Sequence, residues 1–526
     1  MENLDSLNQK YFETLYDLFK NPKKHSLKIC VGNEGNVFPT AIASDEIMLN
    51  LPHIQYEDLL KNKKDLEQSA KDVCLWIKKM QAGTGTSLER TEYLKKVRDS
   101  DAVNIGAKGT DLYIEINDKL MSLAQVQIMQ MKKFADDKKV GEVYFHDIVG
   151  PETQNSLQKI WDDENINSLC NDNFFYFGKS FQDHIPNLNE DLQITDERKS
   201  PGGHGLFAFE AILNCLDENK LPKTDKTLIS SIGNGEDLGS RPDELILGHM
   251  RLNEIPIIMV TTTKTENDLK GGQIAIAKEN NFYYATIIEK AQAQENDQLE
   301  LFEQLGLREK DSMAFFNTNM ALINYDILVP LIQKLYNEIG EKEFYKVISP
   351  DLIQNWKKKG NKEFLQLEGA MGSILLNLDK YFRKKYKKEL ITFVNIDQKN
   401  RSRFFSPIKT AFDFWMQFYS DRFSFDKEHF ELINNFPEGL PKIELDKEYK
   451  SLNIVLNRFN NTSIGQLRHL RVNGSVDFSS CKLAGNIIVN NLSERIYRPD
   501  KNLKDIEIQI DATGSVSSKD ISSIRI

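Results

Sequence analysis

The residues best able to do chemistry sit in short stretches punctuated by glycine. The first, Lys79–Leu88 (KMQAGTGTSL), sets two glycines and three hydroxyl residues after an apolar run, Val73–Ile77. With no side chain in the way, backbone N–H groups of such a loop approach an anion closely, so a nucleotide phosphate is its natural guest. The spacing matches neither the dinucleotide fingerprint nor the P-loop, because the third glycine and the closing Gly-Lys-Ser/Thr are both missing. Taken alone, the loop also reads as an ordinary strand-to-helix turn. Ser200–Phe207 (SPGGHGLF) places His204 between Gly203 and Gly205, and Lys264–Gly272 (KTENDLKGG) puts Lys270 directly before two glycines. Between them lies NGEDLGS, Asn234–Ser240.

The elements that must position these loops follow from periodicity. Leu4, Leu7, Tyr11, Leu15, Leu18 and Phe19 make one apolar stripe on an opening helix. Residues 21–70 read as a polar, helix-poor approach, and Glu89–Ile105 as a charged, mobile excursion beyond the first loop. Leu112, Ile114 and Ile116 alternate as a half-buried strand does. Helices are expected at Ser122–Phe134, Glu152–Trp161, Phe209–Leu216 and Pro242–Met250, with strands at Glu142–His146, Thr227–Ile232 and Ile255–Thr262. Such alternation implies a mostly parallel α/β sheet covered on both faces, with ligands outside the carboxyl ends of its strands. From Leu452 the pattern changes to short apolar alternations, Ile454–Leu456, Leu470–Phe478, Leu483–Val489 and Ile506–Ile510. Glycines at the corners suggest a small β-sandwich or a stacked β-helix.

Composition bounds the rest. A chain of 526 residues exceeds what one core usually serves. A net charge of −10 gives it little general attraction for nucleic acid or acidic membrane surfaces. Five scattered cysteines without a Cys-x-x-Cys pair fit a reducing compartment, and the acidic N-terminus is not a signal peptide. A cytoplasmic protein with no nucleic-acid or membrane partner is expected.

Eight motifs in order resemble those of the eukaryotic-type UDP-glucose pyrophosphorylases. Lys79–Leu88 resembles the family's nucleotide loop, SPGGHG its Pro-Pro-Gly-His-Gly turn, SIGNGEDLGS its Ser-Asn-Ile-Asp-Asn-Leu-Gly-Ala loop, and KTENDLKGG its Lys-Thr-x-Ala-Asp-Val-Lys-Gly-Gly. IIEKAQ (Ile287–Gln292), FNTN (Phe316–Asn319), QLEGAMG (Gln366–Gly372) and RSRFFSPIKT (Arg401–Thr410) continue the series, and LRVNGSVDF falls where the family's C-terminal domain begins. The resemblance implies a glycosyltransferase-A-like nucleotidyltransferase domain over residues 71–440, a helical segment over 1–70 packed on it, and a left-handed β-helix over 441–526. It implies magnesium-dependent formation of UDP-glucose and pyrophosphate from UTP and glucose 1-phosphate. The apolar alternation after Leu470 permits a homo-oligomer through the C-terminal domain.

Uniting two anions requires positive charge and amide donors rather than a nucleophile of the protein's own. By resemblance, Lys270 and Lys409 contact phosphate. Ala82, Gly83, Thr84, Gly85, Thr86, Gln182 and Gly203 carry the nucleotide, and His204, Asn234, Glu289 and Asn319 face the sugar. Glu236 or Asp237 holds Mg2+. Three departures stand out. Asp111 occupies a position where the family has a basic residue, which either removes one positive charge or passes the role to Lys108. Leu206 replaces an aspartate after the Gly-His-Gly turn. The insertion Glu89–Ile105, with Arg90, Lys95, Lys96 and Arg98, either supplies the missing charge, closes over the nucleotide or binds something else. Two alternatives therefore stand beside the leading reading: another sugar 1-phosphate as substrate, or a catalytically impaired regulatory protein that binds UTP and sugar.

Overall fold

The computed structural model describes residues 6–21, 27–32, 34–268, 271–307, 314–436 and 439–523. The apolar run after Asp72 becomes a strand buried on both faces, as strands of a covered parallel sheet are. It lies within an eleven-stranded sheet whose main path has eight strands. In chain order these are β1 (His53–Gln55), β2 (Val73–Met80), β3 (Glu142–Val149), β4 (Phe174–Phe181), β5 (Thr227–Asn234), β6 (Ile257–Thr262), β7 (Phe316–Asn324) and β8 (Ile391–Ile396). Their spatial order is β1-β8-β6-β7-β5-β2-β3-β4. Every neighbouring pair is parallel except the two made by β7, which runs antiparallel between β5 and β6.

That single reversal matters for function. The parallel strands deliver their last residues, Met80, Val149, Phe181, Asn234 and Thr262, to one edge of the sheet, and β7 delivers its first residues, Phe316–Asn319, to the same edge. Backbone bonds carry the ladder onward into the loops, from Gln81 N to Ile148 O, from Gly235 N to Met80 O and from Gln182 N to Val149 O.

Several expectations need correction. Residues 21–70 are not helix-poor, for Tyr56–Leu60 and Lys63–Ala70 are helices and β1 joins the main sheet. Tyr56, Leu59, Leu66 and Ala70 are their buried apolar anchors, split between two short helices and so too few in each to show periodicity beneath the lysines. The charged stretch after Glu89 is no excursion, because Thr91–Arg98 forms a helix that buries Tyr93 and Leu94 in a shared core with Trp415, Leu452 and Phe459. Ile454–Leu456 belongs to a helix, Leu452–Arg458, and not to a strand. Three apolar residues cannot distinguish the two periods. The opening helix, Ser6–Lys20, buries Tyr11, Phe12 and Leu15, and the Tyr11 hydroxyl donates to Gly202 O at 3.3 Å, so this helix braces the SPGGHG turn.

At the C-terminus, β9 (Lys442–Leu445), β10 (Ser463–Asn473), β11 (Lys482–Asn491) and β12 (Asn502–Ile510) stack in parallel register, and β13 (Val516–Asp520) closes the edge antiparallel. A second parallel bridge, Val476 to Tyr497, joins the connections between these strands. A sandwich would need a facing sheet, and the described residues here form a single one.

The helix Glu244–Leu252 starts on an N-cap whose Asp243 carboxylate accepts from the Leu245 and Ile246 amides at 3.1 and 3.0 Å. It then crosses Lys63–Ala70 at Gly248, where a methyl group would stand 2.0 Å from the backbone oxygen of Leu66. Overpacking against backbone leaves nothing that can swing aside. Gly248→Ala should therefore cost ~1–3 kcal/mol, read as a lower urea midpoint with an unchanged slope. An unshifted midpoint would mean that the two helices simply part.

Candidate functional site

The edge where the strand ends meet holds two adjoining cavities. One, of about 230 Å³, is lined by Ala82, Gly83, Gln182, Gly203, His204, Asn234 and Asn319 among others. The second, of about 180 Å³, is lined by Gly85, Lys108 and Glu236, and shares Met80 and Gly83 with the first. The glycine loop is thus the partition between them.

In the first cavity three groups are held in definite states. Gln182 is buried, and its Nε2 finds no acceptor among the described residues, so a donor is left for a guest. His204 precedes the helix Gly205–Leu213 and its Nδ1 accepts from the Met371 amide at 2.9 Å. Burial pushes its pKa down to about 4, so the ring is neutral at neutral pH and carries its proton on Nε2. Asn319 adopts a left-handed φ of 60° at an irregularity in the pairing of β6 with β7, and exchanges hydrogen bonds with Asn317. Asparagine tolerates that conformation better than most residues, and a bulge here turns a strand side chain toward the cavity. Leu206 is buried among the core residues and supplies an apolar wall.

In the second cavity Lys108 Nζ donates to Ile408 O at 2.7 Å and lies 3.3 Å from a Glu236 oxygen. Gly85, at φ 61°, permits this, because a Cβ there would overlap the lysine side chain. Below lies a second lysine, Lys79, fully buried, whose ammonium donates to Ser240 O at 2.6 Å. Burial lowers its pKa and raises that of nearby Asp237, while their mutual attraction offsets part of both shifts. Lys409 is exposed and lines neither cavity, with its ammonium 5.5 Å from the centre of the Phe405 ring and 6.0 Å from that of Phe316.

What holds the loop in shape was not foreseen. Arg90 is buried and donates to the carbonyl oxygens of Thr84, Gly85, Leu88 and Gly106, while its Nε meets Asp111 at 2.8 Å. Asp111, fully buried, also accepts from Arg98 at 2.8 Å and from the Gly106 amide. Asp111 is therefore a counter-ion for the insertion rather than a cation lost from the cavity. No periodicity marks Arg90, although an acidic residue in place of a basic one invites a search for its compensating cation.

The remaining expected residues lie elsewhere. Lys270 falls outside the described residues. Glu289 caps the helix Lys290–Glu295 in a reciprocal pair with Gln292 and lines neither cavity. Burial raises its pKa, helped by Asp351 and Glu368. Asp237 is sealed inside, its Oδ1 accepting from the Gly239 and Ser406 amides, so it braces the loop and is not exposed to a ligand. Thr84 turns its carbonyl to Arg90, and Thr86 points outward.

Removing one partner of a buried ion pair strands the other. Arg90→Met should destabilise the fold by ~3–5 kcal/mol in denaturant titrations, and adding Asp111→Asn should cost less than the sum of the two single changes. Strict additivity would show that the two side chains do not act as a pair. For His204 the folded pKa lies below the unfolded value, so its contribution is intact above about pH 6.5 and lost as pH falls toward 4. Wild type should therefore lose ~2 kcal/mol more than His204→Asn between pH 7 and pH 5. Parallel losses would place the acid sensitivity on other groups.

A family model described as UTP–glucose-1-phosphate uridylyltransferase matches residues 102–482, well over half of the chain. The protein of that name from Solanum tuberosum is 27% identical over 284 residues, 53% of this chain and 51% of the relative, and a Dictyostelium discoideum relative is 26% identical over 458 residues, 84% and 80%. The match thus spans about half the length of the potato protein. Two solved structures share the fold at low identity. They are a UDP-glucose phosphorylase from Trypanosoma brucei (TM-score 0.66, 19%) and the UDP-glucose pyrophosphorylase from Leishmania major (TM-score 0.67, 18%), each covering 96% of this chain and 100% of its own. The fold, the clustered glycine loops and the family match lead to one conclusion: the chain belongs to the UTP–glucose-1-phosphate uridylyltransferase family.

Proposed function

We propose that this protein transfers the uridylyl group of UTP to glucose 1-phosphate, giving UDP-glucose and pyrophosphate. The observation that carries the reading is the pair of cavities divided by the glycine loop, one offering an unpaired amide donor and a neutral imidazole, the other a lysine and a carboxylate. In this assignment Gln182 Nε2 donates to a uracil carbonyl, and the Gly83 backbone and Gly203 line the base. His204 Nε2–H, Asn234 and Asn319 serve the sugar and its phosphate. Lys108, Lys409 and Lys270 neutralise the phosphates, Lys270 on the strength of its motif. A phosphate oxygen of the sugar attacks the α-phosphorus, and the bond to pyrophosphate breaks as the new P–O bond forms. No general base is required, because the attacking oxygen is already deprotonated.

The residues also fit a magnesium ion, within limits. No group of three metal-binding side chains occurs among the described residues, but magnesium is commonly held by one or two carboxylates with substrate phosphates and water. Glu236, at the rim of the second cavity, fits that role, and buried Asp237 does not. Once bound, such an ion spreads the negative charge of the triphosphate.

Beyond the site, the parallel stack β9–β12 and its second bridge support a left-handed β-helix for residues 441–526, following a catalytic unit over 71–440. Homo-oligomers through that end remain part of the proposal. All five cysteines are free, which suits a reducing cytoplasm, and no helix among the described residues is long and apolar enough to cross a membrane.

The test is pyrophosphate release from UTP with a panel of sugar 1-phosphates. Glucose 1-phosphate should exceed galactose and N-acetylglucosamine 1-phosphates, and UTP the other nucleoside triphosphates. Gln182→Ala should raise the KM for UTP about tenfold with kcat nearly unchanged, whereas Lys108→Met should lower kcat by ~100-fold. Silence across the panel despite measurable UTP binding would favour the regulatory reading.

A further inference from the structure

A third cavity, of about 360 Å³, shares no lining residue with the two described above. Arg241 lines it and is only 3% exposed. Its Nη2 meets Glu431 and its guanidinium lies 5.1 Å from the centre of the Phe134 ring, but Nε and Nη1 have no acceptor among the described residues. Buried donors left unmet are costly, and a guanidinium presents them in a fork suited to an oxyanion. Beside it Arg403 donates weakly to Arg241 O at 3.5 Å and approaches Glu431 only to 3.9 Å. A single carboxylate oxygen is therefore shared between two guanidinium groups.

The other acids lining the cavity are already engaged. Asp243 accepts from the Tyr56 hydroxyl and two helix amides, Glu244 is 2.6 Å from Lys139, and Asp137 is 2.8 Å from Lys133. His429 lies 2.8 Å from Asp426. Gln130 gives its Nε2 to two carbonyls and keeps a buried Oε1 without a donor. The unmet groups are thus two guanidinium donors and one amide acceptor. Glu431 itself sits on the two-stranded hairpin Phe423–Asp426 and Glu431–Asn434, which pairs with no other sheet, and its side chain is 30% exposed.

We propose that this cavity binds a phosphate group, held by Arg241 and Arg403 in exchange for the Glu431 carboxylate. A phosphate offers more acceptor positions than one carboxylate oxygen, and its protonated oxygen can donate to Gln130 Oε1. The site is one residue from the catalytic edge, since Ser240 holds the Lys79 ammonium through its carbonyl and the Asn234 amide through its hydroxyl. Phosphate at Arg241 therefore acts on the loop that carries Asn234 and Glu236.

Calorimetric titration of the full chain with inorganic phosphate, and separately with pyrophosphate, tests this without turnover, so its failure leaves the assigned reaction untouched. One phosphate site should weaken at least about tenfold in Arg403→Gln, tighten roughly three- to tenfold in Glu431→Gln, and keep its affinity in Lys108→Gln. Tighter pyrophosphate binding with the same variant pattern identifies the reaction product as the ligand, and equal or weaker binding identifies free phosphate. Phosphate affinity that ignores Arg403→Gln and Glu431→Gln but is lost in Lys108→Gln would place phosphate in the catalytic cavity alone and overturn the proposal. So would the absence of any phosphate binding.

Discussion

The geometry of the site depends on a buried ion pair that touches no substrate. Arg90 and Asp111 are 1% exposed or less, and a pair removed from water in this way is tolerated only when further hydrogen bonds satisfy both groups. They are satisfied here. The guanidinium binds four carbonyls, and the carboxylate takes a second arginine and an amide. With the carbonyls of Thr84, Gly85 and Leu88 drawn inward, a glycine loop that would otherwise sample many conformations is confined to one. Preorganisation of this kind lets backbone donors face an anion without reordering on each encounter.

The second constraint is topological. Had every strand run the same way, β7 would have brought Asn324, rather than Asn319, to the ligand edge. Its reversal places the FNTN residues opposite the ends of β5 and β6, and the irregularity at Thr261 supplies the local kink. On the far side of the cavity, the opening helix reaches the SPGGHG turn through Tyr11, which stacks edge-on against Phe209 at 5.3 Å. The lining thus draws on residues from Met80 to Asn319, and one wall of it is braced from behind by a helix near residue 11.

Much of this was legible in the residues. The glycine loops stand out by composition, and the apolar runs Val73–Ile77, Thr227–Ile232 and Ile255–Thr262 and the change of character near the C-terminus follow from short-range patterning, with the first two strands running two or three residues further in the structure. What escaped was interaction between distant groups. The burial of Arg90 and Asp111 cannot be read from either residue alone, since both types are ordinarily exposed. The sealing of Asp237 and the bracing by Tyr11 depend on partners remote in sequence, which leave no periodic trace, whereas the cap role of Glu289 rests on Gln292 three residues on and was open to a local reading. The helices between Tyr56 and Ala70 escaped for another reason, because lysine-rich turns with few apolar anchors look like solvated loop.

One feature of the charged insertion reaches beyond local shape. The backbone of Glu89 pairs in parallel with Ser451, donating to Lys450 O and accepting from Leu452 N at 2.9 Å each, and Ser87 Oγ donates to Lys409 O. The outer end of the glycine loop is thus sewn to the connection between β9 and β10 of the C-terminal stack. Cutting the protein before Ser451 would not merely trim a peripheral module. It would leave the backbone C=O of Glu89 without the Leu452 amide that it accepts from, and open the seam along which the loop is anchored.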